Sequence, residues 1–314
     1  MPNALHRDRL PQLGGEPFLM EAGLETDLIF NHGIDLPQFA AHTALAHDEG
    51  RAAVTAIQSG FLELARDMGF GLVMDVQTWR AGPIWGEALG QSEAELKRAN
   101  EDAVAFAAGL RAAYAPHRRP VVLAAAVGPC GDAYEAAADL SAQEAEDYHA
   151  TQLGWLAATE VDMAAAITFT EAKEATGFVR AAGRVGLPAV VSFTVETDGA
   201  LPSGQALSDA IEEVDRGTDA AAAYFMVNCA HPDHFSEKLV ASPWAMRIRG
   251  VRGNASRLSH AELDASETLD DGDPQEFGAL TLAIRDRLPW VNLFGGCCGC
   301  DLRHVAEVAR GLAA

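Results

Sequence analysis

Eight short apolar runs recur along the chain, each followed by a stretch in which apolar residues return every third or fourth position. The runs are Phe18–Glu21, Leu72–Asp75, Val121–Val127, Met163–Phe169, Ala189–Val195, Tyr224–Asn228, Met246–Val251 and Val291–Phe294. Most lack polar–apolar alternation, as expected of strands covered on both faces of a parallel sheet. Between them, Val54, Ile57, Phe61, Leu64 and Met68 keep helical spacing up to Gly69. Ser92 with Glu95, and Ser141 with Glu144, have capping-box spacing, in which each side chain satisfies a free amide of the first turn. Asp273-Pro274-Gln275-Glu276 places a cap and a first-turn proline ahead of Phe277, Leu280, Ile284 and Leu288. The spacing of Leu302, Val305, Ala309 and Leu312 predicts a last helix. Pro120, Pro188 and Pro289 each open a strand, where a missing N–H is tolerated.

Eight β-then-α units predict a single (β/α)8 TIM barrel over residues 1–314. A two-domain split would need a linker, and no stretch has linker composition. The one long irregular segment, Gly253–Asp273, is polar and acidic, with a short helical pattern around Ala261–Leu269. Following the seventh strand of a barrel, it lies at the mouth, as a lid or as a solvated loop.

Charge and composition narrow the partners. The 45 acidic residues against 23 basic ones give a net charge of -22, which argues against nucleic acid and anionic membrane surfaces. A 49% hydrophobic content with 7% aromatics supplies an alanine- and valine-rich core. The longest apolar runs fall far short of the roughly 20 residues that span a bilayer. Met1–Gly15 lacks the basic-then-apolar pattern of an export signal. Five cysteines, an odd number with three crowded together, do not form a secreted disulfide framework, so a cytoplasmic location is expected. Nothing in the pattern specifies an oligomeric state.

The chemistry gathers at the end of the chain's last strand, in Asn292-Leu-Phe-Gly-Gly-Cys-Cys-Gly-Cys300. Paired glycines let the backbone turn sharply there. Neighbouring cysteines seldom close on each other as a disulfide, because the geometry is strained. Cys229 ends the sixth strand. In a parallel barrel the ends of strands six and eight share one face, so Cys229, Cys297 and Cys298 are expected to converge. Three thiolates with an open fourth position make a catalytic zinc site, and Zn2+ is the expected cofactor. The bland alternative is three buried thiols packed as small hydrophobes. A structural site would be closed by Cys300, which lies past the turn beside the cap Asp301, or by Cys130 in Gly128-Pro-Cys-Gly131. A zinc hydrolase would instead draw on histidine and carboxylate ligands. His231 and His234 flank Cys229, and Glu196 and Asp198 end strand five.

Asn228-Cys229 and Gly295-Gly-Cys-Cys-Gly299 resemble the zinc signature of the homocysteine S-methyltransferase family. Glu21-Ala-Gly-Leu-Glu-Thr-Asp-Leu28 is similar to that family's opening Asp-Gly-x-x-x-Thr-Glu-Leu. Thr78 in Gln-Thr-Trp-Arg, Val127-Gly-Pro129, Ser192-Phe-Thr-Val195 and Leu201-Pro-Ser-Gly204 follow in the family's order. The resemblance implies an enzyme of methionine biosynthesis. It would move a methyl group from a sulfonium, ammonium or folate donor to a small-molecule thiol, homocysteine foremost. A different thiol acceptor, or a non-catalytic structural zinc site, is the alternative. It implies Cys229, Cys297 and Cys298 as metal ligands, with no catalytic residue beyond them. Glu21, Thr26, Gln77, Thr78, Thr168 and Asn228 are the implied substrate-binding residues.

The departures carry information too. Ile167 stands where the family has a strand-four glutamate that holds the amino group of homocysteine, and only Thr168 matches. Glu21, Asp27 and Gln77 replace Asp, Glu and Asn, and Val251-Arg-Gly-Asn-Ala-Ser256 only loosely matches Pro-Asn-x-Gly. The acceptor's amino group therefore falls to another residue, with Glu21 and Glu171 the candidates, or else the acceptor is a different thiol. Trp79 and Trp85, with Glu196 and Asp198, suit a cationic donor by cation–π contact or charge.

Overall fold

The structure, a computed structural model, describes residues 4–115, 119–134 and 140–314. Eight parallel strands close into a barrel in sequence order: β1 (Phe18–Met20), β2 (Gly71–Val76), β3 (Val121–Val127), β4 (Met163–Phe169), β5 (Ala189–Thr194), β6 (Tyr224–Asn228), β7 (Ile248–Gly253) and β8 (Leu293–Gly296). Closure comes from β1 pairing with β8, Phe18 opposite Leu293. The helices that follow the strands are α1 (Asp48–Met68), α2 (Glu93–Ala113), α3 (Ala142–Ala157), α4 (Ala172–Val185), α5 (Leu207–Thr218), α6 (Pro232–Phe235), α7 (Pro274–Arg287) and α8 (Leu302–Ala313).

The strands show no polar–apolar alternation because they alternate between two apolar environments. Phe18, Met20, Val73, Val122 and Ala124 fill the barrel's inside. Leu19, Leu72, Met74 and Leu123 face the helices. The N-terminal segment seals the bottom: Gln12 Nε2 lies 3.3 Å from Tyr224 Oη, and Asn292 Nδ2 donates to Gln12 O (2.8 Å) and Glu16 O (2.7 Å). With one end plugged, the open end at the strands' C-termini is left for chemistry.

The capping boxes at Ser92 and Ser141 form, and Asp273 caps α7 by accepting from the amides of Gln275 and Glu276. α1 stops at Gly69, whose φ of +76° is the left-handed value that glycine adopts without a steric penalty.

Three boundaries differ from the sequence reading. β7 begins at Ile248, because Ala245–Arg247 coil into a 3-10 turn, and Met246 is exposed. β8 begins at Leu293, so Pro289 lies in the preceding turn rather than opening the strand. In the segment after β7, only His260–Asp264 is helical, fixed by a Ser259–Glu262 capping box.

Candidate metal centre and substrate cavity

Glycine is required where β8 meets β1. A Cβ at Gly295 would lie 2.6 Å from Glu21 O and 2.7 Å from Met20 Cβ. The chain then turns through Gly299, at φ +77°, and this turn presents Cys297 and Cys298 at the barrel mouth. Gly299 N donates to Thr26 Oγ1 (3.3 Å) and Gly23 N to Cys300 O (3.2 Å), fastening the turn to the loop after β1.

Cys229 arrives from β6 with φ +53°, and Thr168 from β4 with φ +64°, both uncommon for residues other than glycine. Asn228 holds them in register. Its Oδ1 accepts from Thr168 N (3.1 Å) and Ser192 Oγ (2.6 Å), while Nδ2 donates to Thr168 Oγ1 (2.7 Å) and Cys297 Sγ (3.8 Å). The irregularity in β4–β5 pairing between Ala166 and Phe169 marks the same place.

The three sulfurs of Cys229, Cys297 and Cys298 lie within 4.8 Å of one another. Cys229 and Cys297 are joined as a disulfide, Cα–Cα 5.3 Å, and the Cys298 sulfur is 4.0 Å from that of Cys229. Tyr134 Oη stands 3.6 Å from Cys298 Sγ and 3.9 Å from Cys229 Sγ, and Thr168 Oγ1 donates to Cys229 Sγ (3.8 Å). Hydroxyl and amide donors thus converge on the sulfurs, as stabilisation of thiolate charge requires. In its reduced form this donor set fits a soft or borderline divalent metal such as zinc.

The sulfurs lie in a cavity of about 420 Å³. Ile167, Thr168 and Gln77 line it beside the cysteines, Trp79, Arg80 and Tyr134 wall one side, and Leu263, Ser266, Thr268 and Leu269 from the segment after β7 wall another. That segment is therefore part of the cavity rather than only a solvated loop.

Of the residues expected to bind substrate, Thr26, Gln77 and Thr168 line this space. Glu21, Thr78 and Asn228 do not. Thr78 is buried and donates to Ala126 O (2.7 Å), and Asn228 acts on its neighbours as described. Glu21 is shut behind the wall, accepting from Gln58 Nε2 (3.1 Å) and Asp75 N (3.2 Å). Burial, reinforced by Asp75, raises its pKa to about 8. Glu171 flanks α4 outside the cavity.

The other candidates have different duties. Cys300 is buried, with Sγ donating to Gly253 O (3.4 Å), and Asp301 caps α8. Cys130 lies outside the cavity, its amide donating to the buried Glu174 (2.6 Å). His231 caps α6 by accepting from Asp233 N (3.2 Å), and desolvation lowers its pKa to about 4. His234 faces Arg257 O (3.1 Å). Asp198 accepts from Ala200 N (2.9 Å) in its own turn, and Glu196 faces His260 Nδ1 (3.3 Å). The tryptophans are already engaged: the Arg80 guanidinium lies 4.7 Å from the Trp79 ring and 3.9 Å from the Trp85 ring. The chain's own cation takes the contacts the sequence reading gave to a donor.

Four cavity residues escaped the sequence reading as site residues. Glu25 sits inside the opening motif and faces the cavity, its pKa raised by burial. Arg252 pairs with Asp75 (2.6 Å) and donates to Gly296 O (3.3 Å). The rings of Tyr134 and His260 meet at a tilt of 37°, centroids 4.4 Å apart. Only His260 had a sequence signal, the Ser259-x-x-Glu262 cap in front of it.

Among solved structures, the chain resembles the Escherichia coli homocysteine methyltransferase MmuM. Its metallated form is 18% identical with TM-score 0.71, covering 94% of this chain and 96% of that one. The oxidised form is also 18% identical with TM-score 0.71, over 95% and 96%. At this identity the likeness speaks for the fold. No curated protein matches the sequence. The profile of the homocysteine S-methyltransferase family matches residues 18–312, from the first strand to the last helix, and the chain belongs to that family.

Proposed function

We propose that this protein is a zinc-dependent S-methyltransferase that methylates a small thiol, homocysteine foremost, to give methionine. The observation that carries this reading is the meeting of three sulfurs within 4.8 Å in a cavity sized for small molecules. Zinc would be held by Cys229, Cys297 and Cys298, and would keep the acceptor's sulfur deprotonated at neutral pH. Asn228, Thr168 and Tyr134 stabilise negative charge on the cysteines through their N–H and O–H groups. The Leu263–Asp270 side of the cavity limits water around the reacting atoms.

The acceptor's ammonium needs an anion. Ile167 supplies none, Glu21 is walled off and Asp75 is already paired with Arg252. Glu25, Asp132, Asp264 and Asp270 also line the cavity, and among them Glu25 is the carboxylate whose charge helps raise the Cys298 pKa. We assign the ammonium to it. The donor is a sulfonium, a quaternary ammonium or a methylated folate. A closed, purely structural metal site is less well supported, because the Cys300 thiol is turned to Gly253 O.

The test is zinc content and methyl transfer to homocysteine, with each donor class, on four single variants made under reducing conditions. Cys229→Ser, Cys297→Ser and Cys298→Ser should each lose both metal and activity. Cys300→Ser should keep both. Loss of zinc from Cys300→Ser with retention in Cys229→Ser would remove the proposed centre.

A further inference from the structure

Cys229 is the one cysteine of the three whose backbone is left-handed, at φ +53°. Residues with a Cβ occupy that region only when their surroundings hold them there. Three hydrogen bonds do so, the longest from Thr194 Oγ1 to Cys229 O (3.4 Å). Cys229 N donates to Arg252 O (3.1 Å), and Cys229 O accepts from His260 Nε2 at 2.6 Å. The His260 ring is buried, in tilted contact with the Tyr134 ring and backed by Glu196 at Nδ1.

His260 opens the short helix His260–Asp264, in the segment whose Leu263, Ser266, Thr268 and Leu269 line the cavity. The same segment holds a second cysteine by its backbone, since Ala255 N donates to Cys298 O (3.1 Å). One stretch of chain therefore both walls the substrate space and grips the backbones of two of the three cysteines.

We propose that His260 is a positioning residue of the metal centre. Its Nε2–H holds the Cys229 carbonyl, fixes the left-handed turn that aims the sulfur, and couples the packing of the 254–272 segment to metal affinity. The proposal rests on the zinc reading above, but its test does not depend on methyl transfer. Because coupling is reciprocal, whatever loosens this segment weakens metal binding, and metal binding firms the segment.

The experiment compares wild type, His260→Ala, His260→Gln and Ser259→Ala, each reduced. Zinc affinity is measured by competition with a chromophoric chelator, and the sulfur-to-metal charge-transfer band is recorded after cobalt substitution. Thermal melting of the metal-free proteins serves as the folding control. His260→Ala should bind zinc about 10- to 100-fold more weakly, the range for residues that orient a ligand from behind. His260→Gln, whose amide N–H can reach the same carbonyl, should recover most of that loss and a wild-type cobalt spectrum. Ser259→Ala, which removes the helix cap without touching Cys229, should show a smaller weakening. Zinc affinity of His260→Ala within twofold of wild type overturns the proposal. So does His260→Gln as weak as His260→Ala at equal metal-free stability, because packing and not the hydrogen bond would then matter. A wild type that binds no zinc defeats the metal reading itself and this proposal with it.

Discussion

Glu21 and Glu25 are four residues apart and have opposite fates, set by which way the loop after β1 turns. Glu21 is sealed behind the cavity with its pKa raised to about 8, so the folded protein holds a proton that the unfolded chain releases above the ordinary glutamate range. Unfolding at neutral pH therefore releases that proton, and stability falls as pH rises between about 4.5 and 8. The slope from this one group is at most about 1.4 kcal/mol per pH unit. Glu21→Gln should flatten it, and urea unfolding of both proteins at pH 6 and pH 8 measures the change. Glu25 faces the substrate space. Glu25→Gln should raise the KM for homocysteine about tenfold, leave the donor's KM unchanged, and have no effect on an acceptor that lacks the amine. Steady-state kinetics with homocysteine and 4-mercaptobutanoate gives the answer. At this scale the cysteines were legible because barrel topology dictates where strand ends meet. Glu25, Arg252 and His260 were not, because side-chain direction at the end of a strand or off a loop follows no period.

Elements were more legible than their edges. The two-sided burial of the strands appears in the sequence as unbroken apolar runs, and the serine–glutamate caps mark where helices begin. What the pattern misplaced was the start of β7, where Met246 is apolar yet 62% exposed, because periodicity does not distinguish a covered apolar residue from an uncovered one. Contact between elements is hidden in the same way. Gly177 looks like an unfavourable residue inside α4, yet a Cβ there would come within 2.5 Å of Ala142 O and Glu146 N and 2.6 Å of Ala145 Cβ. The glycine is what lets α4 lie directly on α3. Gly177→Ala should lower stability by about 1–3 kcal/mol, the usual cost of overpacking, with activity per folded molecule preserved. Chemical denaturation alongside a specific-activity assay tests both halves of that statement.

For the whole molecule, the zinc reading proposed above gives the same two sulfurs two exclusive bonds. The disulfide joins Cys229 to Cys297, so on that reading the oxidised protein is metal-free and the reduced protein competent to bind. Of the five cysteines, three should react with a thiol reagent in the denatured oxidised protein and all five after reduction. Zinc uptake by the native protein should appear only after reduction. The sequence reading did not foresee this pairing. It weighed a disulfide only between neighbouring cysteines, whereas Cys229 and Cys297 meet through the fold.

The seam of the barrel, where Phe18 lies opposite Leu293, joins the parts of the sheet most distant in sequence. The turn bearing Cys297 and Cys298 is fastened to the far side of that seam, to Glu21, Gly23 and Thr26. Any parting of β1 from β8 therefore pulls on this turn, while the amides of Cys229 and Cys297 keep a common anchor on β7, at Arg252 O and Gly253 O. On the zinc reading, an ion held by all three cysteines would span the ends of β6 and β8 over β7, and the seam itself is closed by backbone alone. The barrel therefore closes, and its cysteines meet, with or without an ion, and the meeting of first and last strands is the slowest contact the topology contains.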